Sequence, residues 1–281
     1  MSLDNYIENE KSRTRMKRNL STNVRSPFRY PGGKMKHIKY IRPYWERVLH
    51  DENREPFFGG GAVFFAKPKV EYNWLNDLLK DLIITLKIMA DPESRLKIIG
   101  LLSNEVATKE RFEEMKSWNP QTELEKAHRF YYINRTAYSG IMKQPNWGFH
   151  DIKSVPPRKW PDRVENAGRK LEGSKITSID FLEVIEAPPD GKSVFMYVDP
   201  PYCTSDQKRA YLHHFSLDDH LRLHEALKET EYKFCLSYDD CDQVRDLYDW
   251  ANLYTYSWRY HAANSSVTSR KMGEELIITN Y

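Results

Sequence analysis

The stretch VFMYV, residues 194–198, followed directly by DPPY, residues 199–202, decides the fold of this chain. Five consecutive apolar residues predict a central parallel strand that is covered on both faces. Upstream, residues 54–58 and 70–75 have the composition of strands, and a helical periodicity follows each of them. Strands that alternate with helices predict an α/β fold with a doubly wound, mostly parallel sheet.

The chain between the two halves of this pattern has a different character. Residues 91–180 carry helical segments and no long apolar strand, so we expect a mainly helical insertion into a domain formed by residues 26–90 and 181–281. Residues 1–25 have little apolar content and no periodicity, which predicts a flexible arm. A cluster of Lys and Arg makes this arm basic, and both a phosphate-binding arm and a solvated tail would have this composition.

The composition restricts the possible functions. The 281 residues include 43 Lys and Arg against 40 Asp and Glu, a net charge of +3, and 3 cysteines. So few cysteines do not form a disulfide framework or a four-cysteine zinc site, and we expect no metal and a protein of the reducing cytoplasm. No stretch approaches the ~20 apolar residues of a membrane span, so no membrane partner is expected. Residues 1–50 hold twelve basic and four acidic residues, so the modest total does not exclude a nucleic-acid partner.

The DPPY tetrapeptide is the strongest candidate for chemistry. Ligands of open α/β sheets bind beyond the carboxyl ends of strands, and this tetrapeptide directly follows the predicted buried strand. Pro200 and Pro201 fix the backbone and remove two N–H groups, so the neighbouring carbonyls are available to accept hydrogen bonds. Together with the carboxylate of Asp199 and the flat ring of Tyr202, they predict a pocket for a planar ligand with an exocyclic amino group, such as adenine.

A second candidate site lies in EPFFGGG, residues 55–61. Its glycines predict a turn that lets a ligand approach the backbone closely. Asp77 ends the next predicted strand, at the spacing at which an acid commonly binds ribose hydroxyls. Both the GxGxxG spacing and the lysine of a phosphate-binding loop are absent, so a nucleoside without phosphates fits better than a dinucleotide.

A third motif, FRYPGGK at residues 28–34, precedes PFFGGG at 56–61 and DPPY at 199–202. In this order, and with a long insertion before DPPY, the three motifs resemble those of the Dam-type DNA adenine-N6 methyltransferases, the alpha group of amino-methyltransferases. The resemblance covers the chain from about residue 26 onward. It implies methyl transfer from S-adenosylmethionine to the N6 amine of a flipped-out adenine in double-stranded DNA, with residues 91–180 as the target-recognition insertion.

The resemblance also implies roles for individual residues. The expected contacts of the methyl donor are Tyr30, Lys34, Pro56, Phe57, Gly59, Gly60, Gly61, Asp77 and Asp199. Asp199 and Pro200 are expected to accept hydrogen bonds from the target amine, and Tyr202 to stack on the base. Among the basic and aromatic residues of the insertion, the expected DNA contacts are Arg135, Tyr138, Lys143 and Lys153.

Several alternatives stay open at this point. Ser139 and Lys143 replace the asparagine and arginine that GATC-methylating members carry, so the target sequence is not assigned. The same pocket chemistry would suit cytosine N4, an RNA base or a protein glutamine, and a DNA-binding module without catalysis is a further alternative. A cognate restriction endonuclease is a candidate partner, and the sequence does not indicate an oligomeric state.

Overall fold

A computed structural model of the chain describes residues 24–203, 215–259 and 272–281, so the predicted N-terminal arm lies almost wholly outside the described residues. The described part contains a seven-stranded sheet with the order β3-β2-β1-β4-β5-β7-β6. The strands are Glu52–Glu55 (β1), Tyr72–Asn76 (β2), Lys175–Thr177 (β3), Val194–Val198 (β4), Lys233–Asp239 (β5), Asn252–Arg259 (β6) and Met272–Thr279 (β7). Strands β1 to β5 run parallel, and β7 is antiparallel to β5 and β6. The predicted mostly parallel α/β sheet is confirmed.

Helices connect these strands and cover the sheet. The α-helices of the described residues are Ile38–Glu46 (α1), Ala62–Ala66 (α2), Lys80–Ala90 (α3), Pro92–Ser103 (α4), Lys109–Ser117 (α5), Glu123–Thr136 (α6), Trp160–Leu171 (α7), Phe181–Ile185 (α8), Leu217–Glu229 (α9) and Asp242–Leu247 (α10). Short 3-10 turns occupy Lys34–Lys36, Tyr138–Gly140 and Pro157–Lys159. Pro43 lies inside α1.

The central strand β4 is buried on both faces, as its continuous apolar sequence predicts. Met196 belongs to an apolar cluster that includes Leu223 of α9. Its neighbour Phe195 points to the opposite face and belongs to a cluster that includes Ile41 and Trp45 of α1. Because successive side chains of a strand alternate between its faces, helices on both sides are needed to bury this sequence.

The strand order reverses between β1 and β4. From β1 the chain moves outward through β2 to β3, and then returns to β4 on the other side of β1. In doubly wound sheets a crevice opens at such a point, beyond the carboxyl ends of the strands. The loop after β1 carries residues 56–61 and the loop after β4 carries residues 199–203, so two of the sequence motifs lie at one crevice.

Helices α4 to α7 form the helical insertion, and they pack on α3 of the sheet domain. One apolar cluster contains Leu82 and Leu86 of α3 together with Tyr131 of α6 and Trp160 of α7. The sheet resumes before the predicted boundary at residue 180, because β3 pairs in parallel with β2. Within the predicted insertion, residues 91–180, helices α4 to α7 are thus followed by one strand of the sheet, and the division into domains stays a prediction. A strand of three residues with one apolar side chain leaves no periodicity to detect in the sequence.

Candidate active site

The glycine loop after β1 is in direct contact with Tyr30 and Asp77. Gly59 has a φ of +49°, and its N–H donates a hydrogen bond to Oδ2 of Asp77 at 2.8 Å. A Cβ on Gly59 would lie 3.0 Å from Cε1 of Tyr30, and a Cβ on Gly60 would lie 2.9 Å from Cβ of Tyr30. The two glycines therefore allow the Tyr30 side chain to pack directly on the backbone of the loop.

Asp77 is held in a fixed orientation at the end of β2. Besides the bond from Gly59 to its Oδ2, its Oδ1 accepts a hydrogen bond from the N–H of Leu79 at 2.9 Å. The half-buried carboxylate thus lies beside the glycine loop. This arrangement brings together three of the predicted donor contacts, Tyr30, Gly59 and Asp77.

Asn76 joins the ends of three neighbouring strands, a role that the sequence analysis missed. Its Nδ2 donates to the carbonyls of Pro56 and Ile179, each at 3.0 Å. Its Oδ1 accepts from the N–H of Ile179 at 3.0 Å and from Oγ1 of Thr177 at 2.8 Å. The loops after β1, β2 and β3 are therefore fixed relative to one another. The available signal was a polar residue that ends an otherwise buried strand.

The loop after β3 brings two further residues to the carboxyl ends of the strands, where the loops after β1 and β2 also lie. Asp180 caps α8 through the N–H of Leu182, and its Oδ1 lies 3.0 Å from Nη2 of Arg222. The ring of Phe181 packs on that of Phe57, with centroids 5.2 Å apart. Neither Asp180 nor Phe181 was a predicted site residue, because the sequence did not reveal the strand that precedes them.

Lys34 and Asp199 form an ion pair on the other side of the crevice. Nζ of Lys34 lies 2.9 Å from Oδ1 of Asp199 and donates to the carbonyl of Gly32 at 3.1 Å. The same ammonium group lies over the ring of Tyr202, 4.6 Å from its centroid. The side chains of Lys34 and Asp199 are 5% and 20% exposed. The FRYPGGK and DPPY motifs, far apart in sequence, therefore form one site.

The groups around Asp199 have opposite effects on its pKa. Burial raises the pKa of Asp199, and the neighbouring Glu275 carboxylate adds to this rise. The ammonium of Lys34 lowers the pKa of Asp199 and so opposes it, because a nearby cation stabilises the ionised form. A ligand that donates a hydrogen bond to Asp199 therefore meets a carboxylate already engaged by Lys34.

Tyr202 is oriented by contacts of its hydroxyl and of its ring. Its hydroxyl donates a hydrogen bond to Oε2 of Glu275 at 3.0 Å. The ring lies 5.8 Å from that of Tyr238, with an interplanar angle of 36°. An aromatic ring thus lies next to the Asp199 carboxylate, the combination that the sequence predicts for a planar ligand with an amino group.

The segment that carries Tyr30 and Lys34 is anchored on α6 of the insertion. Oδ1 of Asn134 accepts a hydrogen bond from the N–H of Arg29 at 2.9 Å, and its Nδ2 donates to the carbonyl of Arg29 at 2.7 Å. The guanidinium group of Arg29 also donates to the carbonyl of Ala137 at 3.1 Å. The positions of Tyr30 and Lys34 in the site therefore depend on the insertion.

The four predicted DNA contacts differ in exposure. Arg135 is 4% exposed, its Nη1 donates to the carbonyl of Pro27 at 3.2 Å, and burial lowers its pKa to about 10. The guanidinium group of Arg135 thus faces the interior of the described structure, and its contact with DNA stays a prediction. Tyr138 is 60% exposed, Lys153 is exposed and Lys143 is partly exposed. These three residues can be reached from outside.

A hairpin of residues 137–147 presents Tyr138 beyond the end of α6. Ala137 and Trp147 form an antiparallel bridge. The N–H of Tyr138 donates to the carbonyl of Asn146 at 2.8 Å. These backbone contacts hold the exposed ring on an ordered turn.

Within the described ranges, no three or more His, Cys, Asp or Glu side chains come together in a way that could hold a metal ion. None of the described helices has the length and apolar character needed to cross a lipid bilayer.

Comparisons with known proteins show which family the sequence matches. The model of the family of D12 class N6 adenine-specific DNA methyltransferases matches residues 30–262. The type II methyltransferase M.CviBI of Paramecium bursaria Chlorella virus NC1A is 26% identical, with 90% of this chain and 98% of that protein covered. The type II methyltransferase M1.LlaDCHI of Lactococcus lactis subsp. cremoris is 31% identical, with 92% and 96% covered. The DNA N-6-adenine-methyltransferase of Escherichia phage P1 is 27% identical over 80% of this chain and 31% of that protein.

Proposed function

The chain belongs to the D12 class of N6 adenine-specific DNA methyltransferases, and we propose that it methylates a flipped-out adenine with S-adenosylmethionine bound at the crevice between β1 and β4. It is thus an enzyme that transfers a methyl group to the N6 amine of adenine in DNA. One observation carries the proposal. The glycine loop with Asp77 and the ion pair of Lys34 with Asp199 lie at the two strands that border a single crevice.

The loop after β1 has the features that a nucleoside-type methyl donor requires. Its glycines leave the backbone open to close approach, and the oriented carboxylate of Asp77 is suited to accept hydrogen bonds from ribose hydroxyls. S-Adenosylmethionine would supply a methyl group bound to a positively charged sulfur. The residues that would hold it are Tyr30, Lys34, Pro56, Phe57, Gly59, Gly60, Gly61, Asp77 and Asp199, to which the loop after β3 adds Asp180 and Phe181.

Asp199 and Pro200 provide the acceptors for the target amine. The lone pair of an adenine N6 amine is conjugated into the ring, which makes the nitrogen a poor nucleophile. Hydrogen bonds from its two N–H groups to the Asp199 carboxylate and the Pro200 carbonyl favour a more tetrahedral nitrogen with an available lone pair. Catalysis then consists mainly of positioning and electrostatic stabilisation. Lys34 supports this role, because its ammonium favours the ionised form of Asp199.

Tyr202 receives the base that leaves the duplex. An enzyme that modifies a base must remove it from the stack, at a cost of a few kcal/mol. Stacking of a base on an aromatic side chain contributes about 1–3 kcal/mol and offsets part of that cost. The Tyr202 ring beside Asp199 is the aromatic surface in the proposed pocket.

The insertion formed by α4 to α7 is the proposed target-recognition domain. Its hairpin of residues 137–147 carries the exposed ring of Tyr138, and Lys143 and Lys153 offer positive charges for phosphate contacts. The hydrogen bonds between Asn134 and Arg29 support a connection between recognition and the active site, because they join α6 to the segment that contains Lys34.

Lys143→Ala and Lys153→Ala should each weaken DNA binding at all sequences. Each should also reduce the slope of log Kd against log salt concentration by about one, because one phosphate contact is lost. Fluorescence anisotropy with a labelled duplex at several salt concentrations measures both effects. Lys192→Ala is the matched control. Lys192 is exposed and lies before the amino end of β4, at the opposite end of the strands from the proposed site. Unchanged slopes in both test variants would contradict the proposed phosphate contacts.

Sequencing of cellular DNA tests the proposed activity and determines the target. When the protein is expressed in cells that lack adenine methylation, N6-methyladenine should appear within one recurring sequence. Modification of cytosine N4 instead, or of no DNA base by the folded protein, would contradict the proposal. A cognate restriction endonuclease stays a predicted partner, and such an enzyme should fail to cut DNA methylated at that sequence.

A further inference from the structure

Glu275 is a buried carboxylate on the far side of Tyr202 that the proposed mechanism does not use. It lies on β7, in register with Asp239 of β5 and Tyr256 of β6, and is 8% exposed. Its Oε2 accepts a hydrogen bond from the Tyr202 hydroxyl at 3.0 Å and another from the Tyr256 hydroxyl at 2.5 Å. Two phenol groups from different parts of the chain therefore converge on one buried oxygen.

Both hydrogen bonds to Glu275 have a fixed direction. Burial, with the Asp199 and Glu275 carboxylates adding to its effect, raises the pKa of Tyr202 well above that of an ordinary tyrosine. Burial and the same Glu275 carboxylate raise the pKa of Tyr256. Each phenol thus keeps its proton near neutral pH and donates a hydrogen bond to Oε2 of Glu275.

His37 extends this network toward the catalytic ion pair. Its Nδ1 lies 3.1 Å from the Tyr256 hydroxyl and 3.7 Å from Oε2 of Glu275. His37 directly follows the 3-10 turn that begins with Lys34. His37 and Tyr256 therefore link the turn that carries Lys34 to β7, the strand that carries Glu275.

The hydroxyl end of Tyr202 is an effective place to fix the ring. Pro200 and Pro201 restrict the backbone before Tyr202, but they do not restrict its side-chain torsions. Rotation about the first of these torsions would turn the ring away from Asp199. A hydrogen bond at the hydroxyl, the atom farthest from the backbone, resists that rotation most strongly.

We propose that Glu275 is a positioning residue that holds the Tyr202 ring in the orientation required to stack on the flipped-out base. The inference rests on the proposed function of Tyr202 as the stacking surface. Glu275 affects turnover indirectly, through its hydrogen bond with the Tyr202 hydroxyl. Donor binding, which involves mainly the glycine loop and Asp77, should depend on Glu275 much less than turnover does.

A double-mutant cycle on the full chain tests this role. The substrates are plasmid DNA without N6-methyladenine and S-adenosylmethionine, and the variants are Glu275→Ala, Tyr202→Phe and their combination. Each single variant should lower kcat by about tenfold to a hundredfold, because a small misplacement of a positioning group has effects of this size. The double variant should be no slower than the slower single variant. KM for the donor should stay within about twofold of wild type in all three.

Two further variants separate positioning from general damage. Glu275→Gln keeps an oxygen that accepts the Tyr202 hydrogen bond, so it should recover most of the turnover lost in Glu275→Ala. Tyr281→Phe removes a hydroxyl that donates to the carbonyl of Tyr44 at 2.9 Å, away from the pocket, and should leave kcat unchanged. Thermal unfolding of every variant shows whether it is folded under the assay conditions.

The outcomes distinguish this inference from the proposed function. Multiplicative losses of kcat in the double variant, or a Glu275→Ala protein that is less stable yet turns over at the wild-type rate, would overturn the role of Glu275 alone. A folded wild-type protein that leaves the plasmid DNA unmethylated would overturn the proposed function and, with it, the role of Glu275.

Discussion

Asp199→Ala should lower kcat for methyl transfer at least about a thousandfold, whereas duplex DNA should still bind. A loss of this size is expected when a preorganised polar group is removed from a reacting centre. In this protein the variant removes the acceptor for one N–H of the amine and leaves the Lys34 ammonium, 2.9 Å away, without its carboxylate. Single-turnover transfer of a labelled methyl group measures the rate, and anisotropy measures DNA affinity.

Two comparisons sharpen the test of Asp199. Asp199→Asn keeps the shape of the side chain but loses its charge, and should be nearly as slow as Asp199→Ala. Asp51→Ala is the matched control, because Asp51 accepts backbone hydrogen bonds from Lys192 and Ser193 near the amino ends of β1 and β4, away from the proposed site. It should retain turnover. Wild-type turnover in Asp199→Ala would remove Asp199 from the mechanism.

The pH dependence of turnover offers an independent test of the same carboxylate. The amine donates hydrogen bonds, and the ionised form of Asp199 is the stronger acceptor for them. Because burial raises the pKa of Asp199, protonation should reduce turnover at a higher pH than for an exposed aspartate. The rate should therefore rise with pH through this raised pKa, and this rise should be absent from the residual activity of Asp199→Asn.

Asp77→Ala should weaken binding of the methyl donor about a hundredfold, since charged hydrogen bonds to the ribose hydroxyls contribute about 1.5–3 kcal/mol each. The variant also removes the acceptor for the N–H of Gly59, so the glycine loop loses its support. Calorimetric titration with S-adenosylhomocysteine measures the affinity without turnover. DNA affinity in the absence of the donor should not change.

A matched control distinguishes donor binding from loss of an ordinary helix or loop cap. Asp91 accepts a hydrogen bond from the N–H of Ser94 at the start of α4, outside the crevice. Asp91→Ala should therefore bind S-adenosylhomocysteine as the wild type does. Equal affinities in Asp77→Ala and wild type would show that the ribose is not bound at Asp77.

The elements with strong periodicity or long apolar runs could be predicted from the sequence. The five apolar residues of β4 identified the central strand, and the DPPY that follows it lies at the crevice as expected. The helices of the insertion also follow their sequence patterns closely. In contrast, β3 has one apolar residue among three, so its place in the sheet depends on pairing with β2, which no local pattern reports.

Contacts between distant residues account for the parts of the site that sequence reasoning missed. Lys34 was expected at the donor, but its ion pair with Asp199 depends on how the chain folds back over the crevice. Arginine is a residue type that commonly contacts DNA, which is why Arg135 was predicted to do so. Only the packing of α6 shows that its guanidinium group faces the carbonyl of Pro27. Glu275 lies in an ordinary strand sequence, and its hydrogen bonds come from other segments.

The most direct measurement follows the methyl group itself. Purified protein is incubated with methyl-labelled S-adenosylmethionine and unmethylated duplex DNA, and the DNA is then digested to nucleosides and separated. The account predicts that the label is recovered as N6-methyldeoxyadenosine, and that Asp199→Ala yields none above background. Label in N4-methyldeoxycytidine, or unlabelled DNA from a folded protein that binds the donor, would contradict it.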